Sequence, residues 1–117
     1  MHELSVTESI LKIVLDEMER YNAVKLNRVQ IKMGELSAYV PECIEEYFEL
    51  LSEDTPAYGA QLEFTVEKTI LKCIECRREF RMEYHRLRCP YCRSMNVDII
   101  SGKGFSIESL EIETEDD

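Results

Sequence analysis

The chain has 117 residues, of which 44% are hydrophobic and 32% are charged, and its formal net charge is −10 at neutral pH. This length suits one domain, or one domain with a small inserted module, and the composition is that of a folded chain. No stretch approaches the roughly 18 consecutive apolar residues of a membrane span, and the start lacks the basic region and cleavage site of a signal peptide. We therefore expect a cytoplasmic protein without a membrane partner.

The first predicted element is an amphipathic helix over residues 5–21. Ser5 and Glu8 have the spacing of a capping box, which marks the start of a helix. Apolar residues then recur at helical intervals along one stripe. The residues of this stripe are Val6, Ile10, Ile13, Val14 and Met18. This interpretation leaves residues 1–4 ahead of the helix.

The middle of the chain predicts a strand, a second helix and another strand. The segment "RVQIKMG" alternates apolar and polar residues and ends at Gly34, which is typical of a half-buried strand. Pro41 fits the first turn of a helix that "DTPAYGA" ends. A second strand is predicted in "QLEFTVEKTIL", and a third strand in "GFSIESLEIE". The predicted core residues of the first two strands and the helix are Val29, Ile31, Met33, Ile44, Tyr47, Phe48, Leu51, Leu62, Phe64 and Val66.

This order of elements predicts an α+β fold in which two helices pack on a small three-stranded sheet. The cysteine-rich segment is expected to form an inserted zinc-ribbon module. The predicted parts are residues 1–71 plus 104–117 and, as the insertion, residues 72–103. Because so short an insertion should leave from neighbouring strand ends, we expect the second and third strands to pair antiparallel.

The strongest chemical pattern is a pair of C-x-x-C motifs that contain Cys73, Cys76, Cys89 and Cys92. Each motif can present two thiolates to one ion, and the loop between the motifs can bring them together into a tetrahedral site. Because four thiolates fill that shell, we expect structural Zn(II) and not a catalytic metal. Iron is chemically possible with the same ligands, whereas redox pairs would need a strand-and-helix setting that the short loop does not offer.

Charge is distributed unevenly along the chain. Residues 72–93 contain seven basic and three acidic side chains, whereas the rest contains seven basic and 21 acidic ones. The arginines can compensate the negative charge of a zinc–thiolate cluster, or they can bind phosphate in a zinc ribbon that recognises nucleic acid. The acidic remainder argues against nucleic acid. Of the other candidate ligands, Cys43 is expected to be a small buried hydrophobe and His85 a surface histidine.

The first three residues offer a different kind of metal site. With Met1 retained, its amine, the backbone nitrogen of His2 and the imidazole of His2 can form fused chelate rings. Glu3 adds its own backbone nitrogen or a carboxylate oxygen. Nitrogen-rich sites of this kind favour Cu(II) and Ni(II) over zinc, so the residues alone leave the metal open between these two.

The chain as a whole resembles the HypA/HybF family of nickel metallochaperones, which serve the maturation of NiFe-hydrogenases. The matching segments are "MHELSVTESIL", "IKMGELSAYVPECIEEYFELLSEDTPAYGAQLEF", the "CIEC" and "CPYC" pairs, and "SIESLEIE". The resemblance implies a nickel-binding α/β domain with a zinc domain inserted before its last strand. It also implies that Met1, His2 and Glu3 hold transported Ni(II), and that the four paired cysteines hold structural Zn(II).

The resemblance further implies the partners and the class of protein. Family members work with the GTPase HypB and pass nickel to the hydrogenase large-subunit precursor, and some also supply urease maturation. Some relatives carry histidines beside the zinc cysteines, and this chain lacks such a pair. We expect a monomer or homodimer. We do not expect an enzyme, because the sequence has no nucleophile beside a general base and no open metal shell. The alternatives are a zinc ribbon that binds nucleic acid and a zinc-stabilised protein-interaction module.

Overall fold

The computed structural model describes residues 3–115, which form two helices and six strands arranged in two small sheets. The elements are α1 (Glu3–Arg20), β1 (Ala23–Gly34), α2 (Pro41–Leu51), β2 (Gln61–Glu67), β3 (Ile70–Cys73), β4 (Glu79–Arg81), β5 (Val97–Ser101) and β6 (Phe105–Thr114). This confirms the predicted α+β class. Neither helix in this part of the chain is long and apolar enough to span a membrane.

The chain divides into two compact units. The first unit comprises Met1–Ile31, Ala38–Phe64 and Ile107–Asp117, and the second comprises Lys32–Ser37 and Thr65–Ser106. Both helices belong to the first unit, and the cysteine motifs belong to the second. The predicted boundaries divide the chain into independently folding domains, with residues 72–103 inserted into the remainder. They stay a prediction.

Helix α1 begins earlier than the capping-box pattern indicated. It starts at Glu3, so Ser5 lies inside the first turn and the prediction that residues 3 and 4 precede the helix is wrong. An acidic residue in the first turn is favoured by the helix dipole. The Glu3 carboxylate also accepts a hydrogen bond from the backbone N–H of Val40 at 3.0 Å, and the Thr7 hydroxyl donates to the Glu3 carbonyl. These bonds anchor the helix start.

The core of the first unit is formed by one face of each helix and by β1. The largest fully buried side chains there are those of Ile10, Val14, Met18, Leu26, Val29, Ile31 and Ile44. Pro41 occupies the start of α2 as predicted. Six predicted core residues are not fully buried. Ile13, Tyr47 and Val66 are 44%, 38% and 66% exposed. Leu51, Leu62 and Phe64 are half-buried. Periodicity assigned these residues to the core because a sequence pattern contains no information on which faces the neighbouring elements cover.

The first sheet has the strand order β2-β1-β6, so the predicted pairing of the second and closing strands is wrong. Ion pairs cross this sheet between Lys25 and Glu113, Arg28 and Glu111, Arg28 and Glu63, and Lys32 and Glu67. The partners advance in the same direction along β1 and β2 and in opposite directions along β1 and β6. Strand β2 is therefore parallel to β1, as a connection through a helix allows, and β6 is antiparallel to β1.

The second sheet was not anticipated. Strand β3 pairs antiparallel with both β4 and β5, and Leu71 lies opposite Phe80 on one side and Ile99 on the other. The segment "QLEFTVEKTIL" is thus two strands in different sheets and not one strand. The second unit also has a buried apolar core of its own. Its buried cluster comprises Leu71, Cys73, Phe80, Met82 and Cys89, with Leu36, Cys76, Val97 and Ile99 packed against it.

The backbones of Gly34 and Gly102 in the second unit approach each other closely. A Cβ atom on Gly34 would lie 2.1 Å from the carbonyl carbon of Gly102, so no side chain fits there. Gly102 itself has φ +93°, in the left-handed region that favours glycine. The N–H of Gly34 donates to the carbonyl of Gly104 at 2.7 Å, and the N–H of Leu36 donates to the carbonyl of Gly102 at 2.9 Å. The close approach therefore fixes the end of β1.

Candidate metal centre

The second unit brings the four predicted cysteine ligands together. Their sulfur atoms all lie within 4.8 Å of one another, with 3.4 Å between Cys73 and Cys92 and 3.6 Å between Cys76 and Cys89. A tetrahedron with zinc–sulfur bonds of 2.3 Å has sulfur–sulfur edges of about 3.8 Å. All four cysteines are free of disulfides. The spacing therefore fits one tetrahedral ion with four thiolate ligands.

The two C-x-x-C motifs form turns of the same geometry. The N–H of Arg77 donates to the carbonyl of Cys73, and the N–H of Arg93 donates to the carbonyl of Cys89, both at 2.8 Å. These arginines have φ values of 64° and 65°, in the left-handed region. In each turn the first cysteine also donates its N–H to the carbonyl five residues further on, at 2.9 Å. The repeated sequence motif thus corresponds to a repeated backbone fold.

Backbone N–H groups in these turns point at the sulfur atoms. Cys76 donates its N–H to the sulfur of Cys73 at 3.5 Å, and Tyr91 donates to the sulfur of Cys89 at 3.4 Å. The N–H of Cys76 lowers the pKa of the Cys73 thiol. Burial opposes ionisation of Cys89, but the N–H groups of Cys92 and Tyr91 lower its pKa to about 7. Since the thiolate is the form that binds metal, both turns favour the ligand form of their first cysteine.

The cluster has a buried side and an exposed side. Cys73 and Cys89 are fully buried and belong to the apolar cluster of the second unit, whereas Cys76 is half-buried and Cys92 is exposed. The first cysteine of each motif therefore contributes both to the core and to the metal site. The sequence predicted the four ligands, but it gave no signal for the packing of Phe80 and Met82 against them, because neither lies in a recognisable repeat.

The remaining candidate ligands lie apart from this cluster. Cys43 is half-buried in α2 of the first unit, so the expectation that it is buried is only partly correct. His85 is exposed, as predicted, and has φ 59°. Among residues 3–115, the four paired cysteines form the sole group of three or more potential ligands close enough to share an ion.

The predicted N-terminal site lies mostly outside the described residues. Met1 and His2 fall outside residues 3–115, and of this site the structure describes Glu3 alone. Glu3 is 5% exposed, and its carboxylate accepts the hydrogen bond from Val40. Glu3 is also the first residue of α1, where backbone N–H groups have no intrahelical acceptor. Its carboxylate is thus already engaged in the fold.

Comparison with known families gives one match that spans nearly the whole chain. Residues 1–112 match the family described as hydrogenase/urease nickel incorporation, metallochaperone, hypA. Among curated proteins, the chain is 38% identical over 115 residues to a hydrogenase maturation factor HypA of Dehalococcoides mccartyi, covering 98% of this chain and 97% of that protein. It is 36% identical to the corresponding factor of Aquifex aeolicus, covering 98% of this chain and 100% of that protein.

Solved structures agree with the sequence comparisons. The solution structure of the Ni metallochaperone HypA from Helicobacter pylori matches with a TM-score of 0.75 and 30% identity, covering 98% of this chain and 100% of that one. A second solution structure, of a HypA protein, matches with a TM-score of 0.76 and 31% identity, covering 98% of each chain. Fold and sequence therefore point to the same family.

Proposed function

Because the chain belongs to the HypA family of hydrogenase and urease nickel-incorporation metallochaperones, we propose that it binds Ni(II) at its N-terminus and delivers it during NiFe-hydrogenase maturation. The observation that carries this proposal is the family match over residues 1–112, which includes the Met-His-Glu start. Membership of a family of maturation factors also makes the chain a metal-handling protein and not an enzyme. Nickel is the cargo of this protein and not its resident cofactor.

The proposed nickel ligands are the amine of Met1, the backbone nitrogen and imidazole of His2, and Glu3. The contacts of Glu3 bear on its share of this site. Because its carboxylate accepts the N–H of Val40 and is almost fully buried, we favour its backbone nitrogen over its carboxylate oxygen as the ligand. A set of nitrogen ligands suits Ni(II) and Cu(II) alike, and the family membership selects nickel.

The four paired cysteines are the proposed zinc ligands. Their sulfur spacing and the N–H groups aimed at two of them support a tetrahedral thiolate site. Zinc would cross-link the two turns of the second unit and, with four protein ligands, would leave no position for a substrate. We therefore assign zinc a structural role and reserve transfer for the N-terminal site.

Partners and location follow from the family and remain part of the proposal. We propose that the chain acts in the cytoplasm with the GTPase HypB and passes nickel to the large-subunit precursor of a NiFe-hydrogenase. The family description also names urease, so urease maturation proteins are further candidate partners. A terminal chelate suits such transfer because the ligands of a partner can approach it from outside the fold.

A free amino terminus provides the test of this proposal. We expect the untagged chain to bind one equivalent of Ni(II) and one of zinc by elemental analysis after nickel loading and desalting. A chain with a short extension before Met1 should retain zinc and lose nickel, because the extension converts the amine into an amide. The matched control carries the same extension after Asp117 and should bind both metals. Full nickel binding by the N-terminally extended chain would contradict the proposed site.

A further inference from the structure

A groove in the second unit is lined mainly by arginine and tyrosine side chains. It encloses about 610 Å³. We define the arginine groove by six of its lining residues: Arg81, Tyr84, Arg86, Arg88, Tyr91 and Arg93. All six side chains are exposed. The proposed zinc site uses the cysteines, and charge compensation of that site does not explain why arginines and tyrosines line a groove together.

The four arginines of the groove have no acidic partners in the described part of the chain. No carboxylate of residues 3–115 forms an ion pair with any of these four guanidinium groups. In the first unit, by contrast, all four basic side chains pair with acids: Lys12, Arg20, Lys25 and Arg28. Glu83 is the one acidic residue that lines the groove. No carboxylate of residues 3–115 therefore neutralises these guanidinium groups. Residues 72–93 carry seven basic and three acidic side chains, so the charge of about −2 on a zinc–thiolate cluster would offset only part of their positive charge.

Aromatic side chains accompany this charge. Tyr84 is 86% exposed and Tyr91 is 56% exposed. The guanidinium of Arg78 lies over the ring of Tyr91 at 4.8 Å, which holds that ring in place. Arginine and tyrosine are the residues enriched in the energetic centres of protein interfaces. Exposed rings among unpaired guanidinium groups therefore favour a protein partner.

The loop that carries Tyr84 is held in a strained conformation. Tyr84 and His85 are consecutive non-glycine residues with φ values of 52° and 59°. Such conformations are unfavourable for residues other than glycine and persist only where the surroundings impose them. The N–H of Arg86 donates to the carbonyl of Glu83 at 2.9 Å and closes this turn. The turn thereby presents Tyr84 and Arg86 together on the groove.

We propose that the arginine groove binds an extended acidic segment of a partner protein. Carboxylates of the segment would pair with Arg86 and Arg88, and an apolar side chain of the segment would pack on Tyr84 and Tyr91. A nucleic acid fits less well. It carries one negative charge about every 3.4 Å along each strand, so the phosphates beyond the bound region would be repelled by the net charge of −10 of the chain. A short acidic segment confines its charge to the groove. This role does not depend on nickel binding.

The test uses the full zinc-containing chain and a defined probe. The probe is a fluorescein-labelled peptide, EELEYEELEYEE, and the readout is fluorescence anisotropy. We expect saturable binding that weakens as salt is added and that disappears for the peptide with every Glu replaced by Gln. The double variant R86Q/R88Q should weaken binding roughly tenfold, because two charged pairs are lost. Tyr84→Ser should weaken it severalfold without changing the charge.

A charge-matched variant separates the groove from general electrostatics. The double variant K12Q/R20Q removes two positive charges from the first unit and should bind the peptide within about twofold of the parent chain. Each variant should keep one zinc per chain, and R86K/R88K should keep most of the affinity because it keeps the charge.

Three results would overturn the proposal. The first is equal weakening by K12Q/R20Q and R86Q/R88Q. The second is a twelve-nucleotide thymidine strand that binds more tightly than the peptide with the same dependence on the two arginines. The third is a loss of peptide anisotropy that parallels self-association of the chain, as measured by sedimentation. That result would show that a second copy of the chain occupies the groove.

Discussion

The two units of this chain are stabilised by different means. The first unit buries large aliphatic side chains from both helices and from β1, and its four basic residues are paired with acids. The second unit has a small apolar cluster, and two members of that cluster are Cys73 and Cys89, which are also proposed zinc ligands. We therefore predict that apolar burial maintains the first unit, whereas the second unit depends on a metal ion bound by its four paired cysteines.

The largest predicted effect concerns zinc. Structural zinc contributes apparent free energies of about 10–16 kcal/mol in small zinc modules, so Cys89→Ser should abolish the order of the second unit. Amide exchange followed by NMR should show that protection is lost in β3, β4 and β5 and kept in α1 and β1. The matched control is Cys43→Ser, which should retain both zinc and protection. Protected amides in β3 of the zinc-free Cys89→Ser chain would contradict the comparison.

The second prediction weakens the other unit. Ile44 of α2 is fully buried, so Ile44→Ala should lower the free energy of unfolding by about 2–5 kcal/mol. Leu50 lies on the same helix and is 64% exposed, so Leu50→Ala should cost less than about 0.5 kcal/mol. Urea unfolding followed by circular dichroism measures both values. Equal losses for the two variants would show that burial in α2 does not stabilise the first unit.

The third prediction tests the close approach of two glycines in the second unit. Gly34→Ala should destabilise the chain by about 1–3 kcal/mol, because its Cβ would lie 2.1 Å from the carbonyl carbon of Gly102. Gly104 is the control, since a Cβ there meets nothing within 4 Å, and Gly104→Ala should be neutral or slightly stabilising. Urea midpoints at fixed zinc compare the two. A Gly34→Ala chain as stable as Gly104→Ala would refute the backbone contact.

The smallest predicted effect is a pH dependence in the second unit. The N–H of Thr69 donates to the Glu35 carboxylate at 3.0 Å and, with the charges of Lys68 and His85, holds the pKa of Glu35 below its usual range. A lowered pKa stabilises the folded chain above the ordinary pKa of about 4.3, and this stability is lost as the pH falls through the folded value. Glu35→Gln should therefore lower the free energy of unfolding at neutral pH. The difference in this free energy between the variant and the parent chain should become smaller in acid. Exposed Glu79→Gln is the control. A difference that does not depend on pH would exclude the linkage.

The sequence was sufficient for features that depend on local spacing. The two cysteine motifs, the buried face of β1 and the start of α2 at Pro41 all follow from residues close together in the chain, and each lies where it was predicted. The family resemblance was needed to predict the function, because the residues of the terminal chelate alone do not distinguish Ni(II) from Cu(II). The family that it indicated is the one that the comparisons give.

The errors arose where long-range packing decides the structure. The capping-box pattern placed the helix start at Ser5, but the helix begins at Glu3, whose carboxylate accepts a hydrogen bond from the N–H of Val40, 37 residues away. Strands β4 and β5 have three and five residues, too short for an alternation to be visible. The central place of β1 in its sheet depends on partners at both edges, and no local pattern encodes which strand lies between the other two.

Nickel titration of His2→Ala shows whether the nickel and zinc sites are separate. Isothermal titration with Ni(II), with zinc quantified in the same samples, should show that this variant loses nickel binding and keeps one zinc. His85→Ala removes the other histidine of the chain and should bind both metals like the parent. Retained nickel affinity in His2→Ala would exclude His2 as a nickel ligand, and loss of its zinc would show that the two sites are not separate.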